Sequence, residues 1–238
     1  MKRGSFNKIY KIGNLVIKID SDKDKFSNLI IKEMDSKKYI KYQKDLNKCG
    51  IKTSKIYFYT TFPKTILIEQ NIEGNNLQDI MNDESIKLKD KLILIKKLLL
   101  IYKKVYKENV CIDCNLKNFI LNNNELIYID FVPSLYKDKI NRVDNIVLDD
   151  YKKLYIDNSM QLISILNYIL KSLIYLSKEE LKLIKEEIIG YIESEFNMNI
   201  VIYGDNVVMK KNILLDEYIN GSMNKDEYVF EYQKINKR

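Results

Sequence analysis

The chain contains no histidine, and that one absence removes several functional classes. Ser-His-Asp and Cys-His nucleophilic chemistry need an imidazole base, and the His-containing zinc sites need its ring nitrogen. Cysteine is scarce as well, with three in 238 residues. Cys111-Ile112-Asp113-Cys114 has C-x-x-C spacing. With only Cys49 left over, a closed four-ligand zinc site would need a carboxylate. A redox pair and an inert, packed pair are the two readings left, and packing is the expectation. Three cysteines and no secretory signal point to a reducing cytoplasm. Long hydrophobic runs are missing too. The longest mainly apolar stretch, Leu162 to Leu176, falls short of a membrane span and carries Ser164, Asn167 and Lys171. It predicts a buried helix, so no membrane span is expected.

What is present describes a globular protein. Apolar content of 46% against 31% charged residues allows one large core or two small lobes at this length. The formal charge of +7 is unevenly spread: residues 1–70 carry 16 Lys and Arg against 7 Asp and Glu. A basic first third suits a polyphosphate or another anion. Scattered lysines on a solvated surface are the plainer reading. No aromatic platform is interleaved with them, so a nucleic-acid partner is not expected.

The most informative stretch runs from Val110 to Phe131. Asp113 is followed five residues on by Asn118, with Phe119-Ile120-Leu121 behind it. The polar tip Asn122-Asn123-Asn124-Glu125 leads into Leu126 to Ile129, which ends at Asp130. Two short apolar runs around an Asn-rich turn predict a hairpin. Its closure would gather Asp113, Asn118 and Asp130 at one edge. Two oxygen ligands and a carboxylate able to accept a proton are what Mg²⁺-assisted phosphoryl transfer needs, because that chemistry is mostly positioning and charge neutralisation. A single D-x4-N match equally describes a turn whose side chains bond the backbone.

Upstream, Lys8–Ile12 and Leu15–Ile19 flank Gly13-Asn14, a two-residue turn, and predict a hairpin. Gly4 and Ser5 precede it and can offer backbone N–H groups to phosphate. Residues 30–46 have helical spacing with no Gly or Pro, and Cys49-Gly50 stops them. Ile56–Tyr59 and Thr65–Gln70 predict an antiparallel pair. Residues 88–107 form a helix with a lysine stripe (Lys96, Lys97, Lys103, Lys104, Lys107) and a broad apolar remainder. Val132-Pro133-Ser134 ends the strand after Phe131. Residues 140–154 are irregular and acidic. Gln161 to Leu176 predicts the buried helix, and Ser177-x-x-Glu180 a capping box opening another that runs to about Tyr191. Asn199 to Met209 predicts a short hairpin around Gly204-Asp205, followed by a polar tail. No internal repeat or low-complexity linker is present.

The ordered set of these pieces resembles the protein-kinase-like fold, closest to its aminoglycoside phosphotransferase and choline kinase branch. Asp113-x4-Asn118 followed by a strand-borne Asp130 in an Ile-Asp-Phe context matches its catalytic segment. The resemblance implies an α+β, two-lobed fold. A small N-terminal antiparallel sheet with one helix (residues 1–74) would precede a larger, mainly helical lobe (75–238), with the boundary near Gly74. It implies transfer of the γ-phosphoryl group of ATP or GTP to a small-molecule hydroxyl. Asp113 would accept the proton, and Asn118 and Asp130 would bind Mg²⁺. Gly4 and Ser5 would lie in the nucleotide loop. Lys18 would contact phosphate, held by Glu33 or its rival Asp35. Glu69 to Leu77 resembles the interlobe linker, so Gln70 and Ile72 would border the adenine. The family's histidine two residues before the catalytic Asp is Cys111 here, and a thiol braces a loop poorly. A protein kinase would be expected to carry an activation segment, and no D-F-G or A-P-E is present. A catalytically idle nucleotide-binding module is the remaining alternative. The acceptor, whether aminoglycoside-like, choline-like or a sugar, is not specified by these residues.

Overall fold

Gly13 takes φ +55°, the left-handed turn that lets β1 (Lys8–Ile12) fold back on β2 (Leu15–Ile19). These strands open the first sheet of the computed structural model, which describes residues 8–19, 36–60, 66–129, 136–138, 156–200 and 206–237. Helix α1 (Ser36–Lys48) follows, then β3 (Ile56–Thr60) and β4 (Ile66–Gln70). All neighbours are antiparallel and the order is β1-β2-β4-β3, so β4 sits between β2 and β3. Period-two alternation sends Val16 and Lys18 of β2, and Leu67 and Glu69 of β4, to the buried face. Tyr39 of α1 stacks on Tyr59 of β3 with ring centroids 4.4 Å apart, which seats the helix on that face.

Gly74 marks the passage to the rest of the chain, and its φ of +133° excludes most side chains. A Cβ there would lie 2.1 Å from the carbonyl oxygen of Leu121. That close approach lets β5 (Asn75–Asn76) pair with β6 (Phe119–Asn122). With β7 (Glu125–Tyr128) these strands make a second, three-stranded antiparallel sheet. Between β5 and β6 run α2 (Leu77–Asn82) and α3 (Leu88–Val105). Lys91 of α3 is fully buried, and its ammonium donates to the carbonyls of Met81 (2.9 Å) and Asp83 (2.6 Å). It thereby satisfies the open C-terminal end of α2.

Four helices complete the described chain: α4 (Asn158–Ser172), α5 (Lys178–Phe196), α6 (Val207–Ile219) and α7 (Lys225–Lys237). The expected capping box is present, with Ser177 and Glu180 satisfying each other's N–H groups at the start of α5. The hairpin expected over Asn199 to Met209 is a misreading where it is described. Asn206 caps α6 by accepting from the Met209 N–H at 2.9 Å, and Val207 onward is helical. The strand preference of the adjacent Val207 and Val208 is overridden by that cap and by burial of Leu214, Leu215 and Tyr218. The polar tail is likewise a helix. Tyr228 and Tyr232, one turn apart, bury themselves in α7, and Tyr228 packs on Tyr218 of α6. The architecture is α+β, with a small antiparallel sheet N-terminally and a mostly helical C-terminal part. No helix among the described residues is long and apolar enough to cross a membrane. The irregular stretch 140–154 lies outside the described residues.

Candidate functional site

The hairpin of β6 and β7 closes as the Asn-rich tip requires. Asn123 and Asn124 take φ +46° and +63°, the paired left-handed conformation of a tight two-residue turn. Lys97 of α3 fastens the tip through the Asn124 carbonyl (2.9 Å) and side-chain oxygen (2.7 Å). At the open end, the register pairs Phe119 with Tyr128, whose rings stack with centroids 5.1 Å apart. The next residue, Ile129, donates its N–H to the Asn118 carbonyl at 2.9 Å.

Asn118 ends a 3-10 turn, Leu116–Asn118, capped by the Asn115 side chain. Its amide nitrogen donates to the Asp113 carbonyl at 3.3 Å, which fixes the side chain's orientation and leaves its oxygen as an acceptor. Asp113 is half-buried, and one carboxylate oxygen accepts from the Asn115 N–H at 3.0 Å. The spacing of Asp113 and Asn118 therefore folds into one loop, as expected.

Three side chains brace that loop by gripping its backbone. Tyr42 of α1 donates to the Cys111 carbonyl at 2.5 Å. Gln161 of α4 donates to the Ile112 carbonyl at 3.3 Å, and the Asp113 N–H donates to the Tyr128 hydroxyl at 3.0 Å. None of the three was singled out by sequence reasoning: Tyr42 and Gln161 are distant in sequence from the loop, and Tyr128 lies within the hairpin but reads there only as an apolar strand residue. These bonds do the bracing for which a thiol at position 111 is poorly suited. Cys111 and Cys114 are buried thiols that form no disulfide with each other. Burial pushes the Cys111 thiol up to about 12 and the Cys114 thiol well above its ordinary range, so both stay protonated near neutrality.

Lys18 reaches from the first sheet to Ile129, the residue whose N–H bonds the Asn118 carbonyl. Its ammonium donates to the Ile129 carbonyl at 3.2 Å and lies 2.7 Å from Glu69 Oε1. Both partners of this ion pair are buried, and Glu69 also accepts from the Ser54 hydroxyl at 2.5 Å. Glu69 is a functional candidate that the sequence reading passed over as the first residue of the linker. The signal was available: it alternates with Leu67 on the inner face of β4. The proposed partners Glu33 and Asp35 lie outside the described residues, as do Gly4, Ser5 and Asp130.

Along the linker the expectation narrows. The Gln70 N–H is committed to the Lys55 carbonyl, and the Asn71 N–H to that of Asn14, both at 2.8 Å. Gln70 therefore cannot offer its N–H to an adenine, whereas Ile72, half-buried, makes no backbone bond among the described residues. A cavity of about 510 Å³ touches Gln70 and Ile72 together with Asn14, Thr53, Asn122 and Ile127. It does not include Lys18, Asp113 or Asn118.

The donor chemistry suits a hard cation. Among the described residues no cluster of three or more His, Cys, Asp or Glu side chains could hold a metal by itself. What the loop carries is oxygen chemistry, the Asn118 side-chain amide and the Asp113 carboxylate in one turn. Mg²⁺ is usually held this way, by one or two protein ligands plus water and substrate phosphates. A scan against protein-family models matches none of them, and a search of curated proteins finds no match, so the functional reading rests on these residues and their geometry.

Proposed function

We propose that the chain is a two-lobed, protein-kinase-like phosphotransferase that moves the γ-phosphoryl group of ATP or GTP to a small-molecule hydroxyl. The observation that carries this reading is a continuous run of hydrogen bonds. It passes from Asp113 to Asn118, from Asn118 to Ile129, and from Ile129 to Lys18. A buried cation from one sheet thus meets the D-x4-N loop of the other, at the residue immediately before Asp130. A purely structural turn has no need of a buried lysine at that point.

In this reading residues 1–74 and 75–238 form the two lobes, with nucleotide between them. Lys18, held by Glu69, contacts the donor phosphates, and Ile72 borders the base. Asp113 takes the proton of the acceptor hydroxyl as its oxygen bonds to the γ-phosphorus and the bond from that phosphorus to the bridging oxygen breaks. The diphosphate leaves with the bridging oxygen. Asn118 and Asp130 would hold Mg²⁺, which when bound neutralises charge on the phosphates.

The test has two readouts. Melting temperature should rise when nucleoside triphosphate and Mg²⁺ are added together, by mass action on the folded state. A panel of hydroxyl compounds incubated with Mg·ATP should yield a product heavier by one phosphoryl group. No thermal response to any nucleoside triphosphate at millimolar concentration would defeat the proposal.

A further inference from the structure

The helical part of the chain pairs several of its lysines with acids: Lys96 with Glu187, Lys103 with Glu195, and Lys185 with Asp216. Lys171 and Lys211 are placed differently, at an aromatic ring. Lys171 of α4 holds its ammonium 3.8 Å from the centroid of the Tyr232 ring on α7. Lys211 of α6 holds its own 5.3 Å from the same ring. Two cations from different helices therefore converge on one aromatic ring. Among the described residues no carboxylate forms an ion pair with Lys171, Lys211 or Lys117.

Helical geometry ties this group to the loop. Gln161 bonds the Ile112 carbonyl, which fixes one face of α4 against the residue preceding Asp113. Ser164, Tyr168 and Lys171 continue along that face at three- and four-residue steps. Lys171 stands about 4.5 Å along the helix axis beyond Tyr168, from a rise of ~1.5 Å per residue. Tyr168 feels the loop directly. Burial raises its phenol first, and the negative charge of Asp113 raises it further. Lys117 follows Asp113 by four residues, in the 3-10 turn.

Among the described residues no acid compensates these charges. Burial lowers the pKa of Lys211, and burial together with repulsion from Lys211 and Lys117 lowers that of Lys171. No acid among the described residues offsets either shift. Lys211 is half-buried while Lys171 and Lys117 are exposed, and like charges gathered there make a positive field that favours an anion.

We propose that Lys171, Lys211 and Lys117 bind the anionic group of the acceptor, so that the substrate is an alcohol carrying a phosphate or carboxylate. The inference rests on the phosphotransferase reading for the word acceptor, and on the lysines alone for the word anionic. A polycationic aminoglycoside or choline would be repelled from the same place. Tyr232 supplies an apolar floor between the two ammonium groups, against which the carbon frame of a small sugar or polyol phosphate fits. The anionic end would then be held on the α4–α6–α7 side while a hydroxyl reaches Asp113.

The test separates the two readings by leaving nucleotide out of one arm. Ribose 5-phosphate and glycerol 3-phosphate are titrated against the full chain at constant ionic strength, with choline and kanamycin as cationic controls, and melting temperature is read. The phosphates should stabilise the wild type and the cations should not. The response should fall at least tenfold in apparent affinity in the Lys171→Gln/Lys211→Gln variant. Lys117→Gln, at an exposed position, serves as a second variant should the first melt without ligand. Equal phosphate responses in wild type and in a folded variant would overturn the site, as would stabilisation by choline or kanamycin instead. A second arm adds Mg·ATP to the wild type alone. Phosphate binding lost in the variant, with no Mg·ATP response, supports the anion site and overturns the phosphotransferase reading.

Discussion

Lys18 of β2 and Glu69 of β4 form a buried ion pair 2.7 Å long that aims the lysine ammonium at the Ile129 carbonyl. The register places Lys18 opposite Leu67, so Glu69 is its diagonal neighbour on the same sheet face. The pair is therefore built by strand geometry and needs no helix to assemble it. Removing one partner leaves a charge in a low-dielectric site, which typically costs about 3–5 kcal/mol. Glu69→Leu should lower the melting temperature sharply. Glu69→Gln, which keeps a hydrogen-bond acceptor for Lys18 and Ser54, should lower it less. If Lys18 contacts donor phosphates, both variants should also weaken the thermal response to Mg·ATP. Unchanged melting in Glu69→Leu would mean that the pair contributes nothing to the folded state.

Gly74 gives a prediction free of any functional assumption. Its positive φ and the 2.1 Å approach of a would-be Cβ to the Leu121 carbonyl leave no room for alanine. The obstacle is backbone, which cannot rotate away. Gly74→Ala should destabilise by at least about 1–3 kcal/mol, the usual cost of one strained backbone conformation. Denaturant unfolding measures this directly, and a loss below about 0.5 kcal/mol, the scale of an ordinary surface change, would contradict the β5–β6 pairing described here.

The elements most local in origin were the ones visible before the structure. The Gly13-Asn14 hairpin, the Asn123-Asn124 turn and the Ser177 capping box each depend on residues within a few positions of one another. Their chemistry is written in a short window. The Lys18–Glu69 pair, the Tyr42 and Gln161 grips on the loop, and the lysine convergence at Tyr232 all join residues far apart in sequence. Nothing in a window around Tyr42 says that its hydroxyl will meet Cys111. The error at Val207 has the same root: a β-branched pair reads as strand until the Asn206 cap and the burial of Leu215 decide otherwise.

The thiols yield a pH prediction. An unfolded cysteine ionises near its ordinary value of 9.0, whereas burial holds folded Cys111 up to about 12. Between those values unfolding releases a proton, so the unfolded state binds fewer protons and stability falls as pH rises. At pH 7 to 8 the effect is absent, and Cys111 and Cys114 should resist iodoacetamide until the chain is unfolded, as read by mass. Cys111→Ala should flatten the decline of melting temperature through the alkaline range. Rapid labelling of either thiol in the native protein would place them in a reactive pair instead of a packed one.

The sharpest separation is between Asp113 and Asn118, two residues of one loop joined by a bond from the Asn118 amide to the Asp113 backbone carbonyl. Asp113→Asn preserves shape and keeps an oxygen to accept from the Asn115 N–H, so the fold should survive. What it removes is the basic carboxylate. If that group takes the acceptor's proton, turnover should fall by about 10²- to 10⁴-fold while nucleotide affinity stays nearly constant. Asn118→Ala should act differently, raising the Mg²⁺ concentration needed for half-maximal rate, because an amide ligand is felt through the metal. The two profiles are distinguishable in one experiment: rate against Mg²⁺ at saturating acceptor. A base defect lowers the plateau, whereas a ligand defect shifts the midpoint. Wild-type turnover in Asp113→Asn would mean that the loop is a well-braced turn and that the proton goes elsewhere.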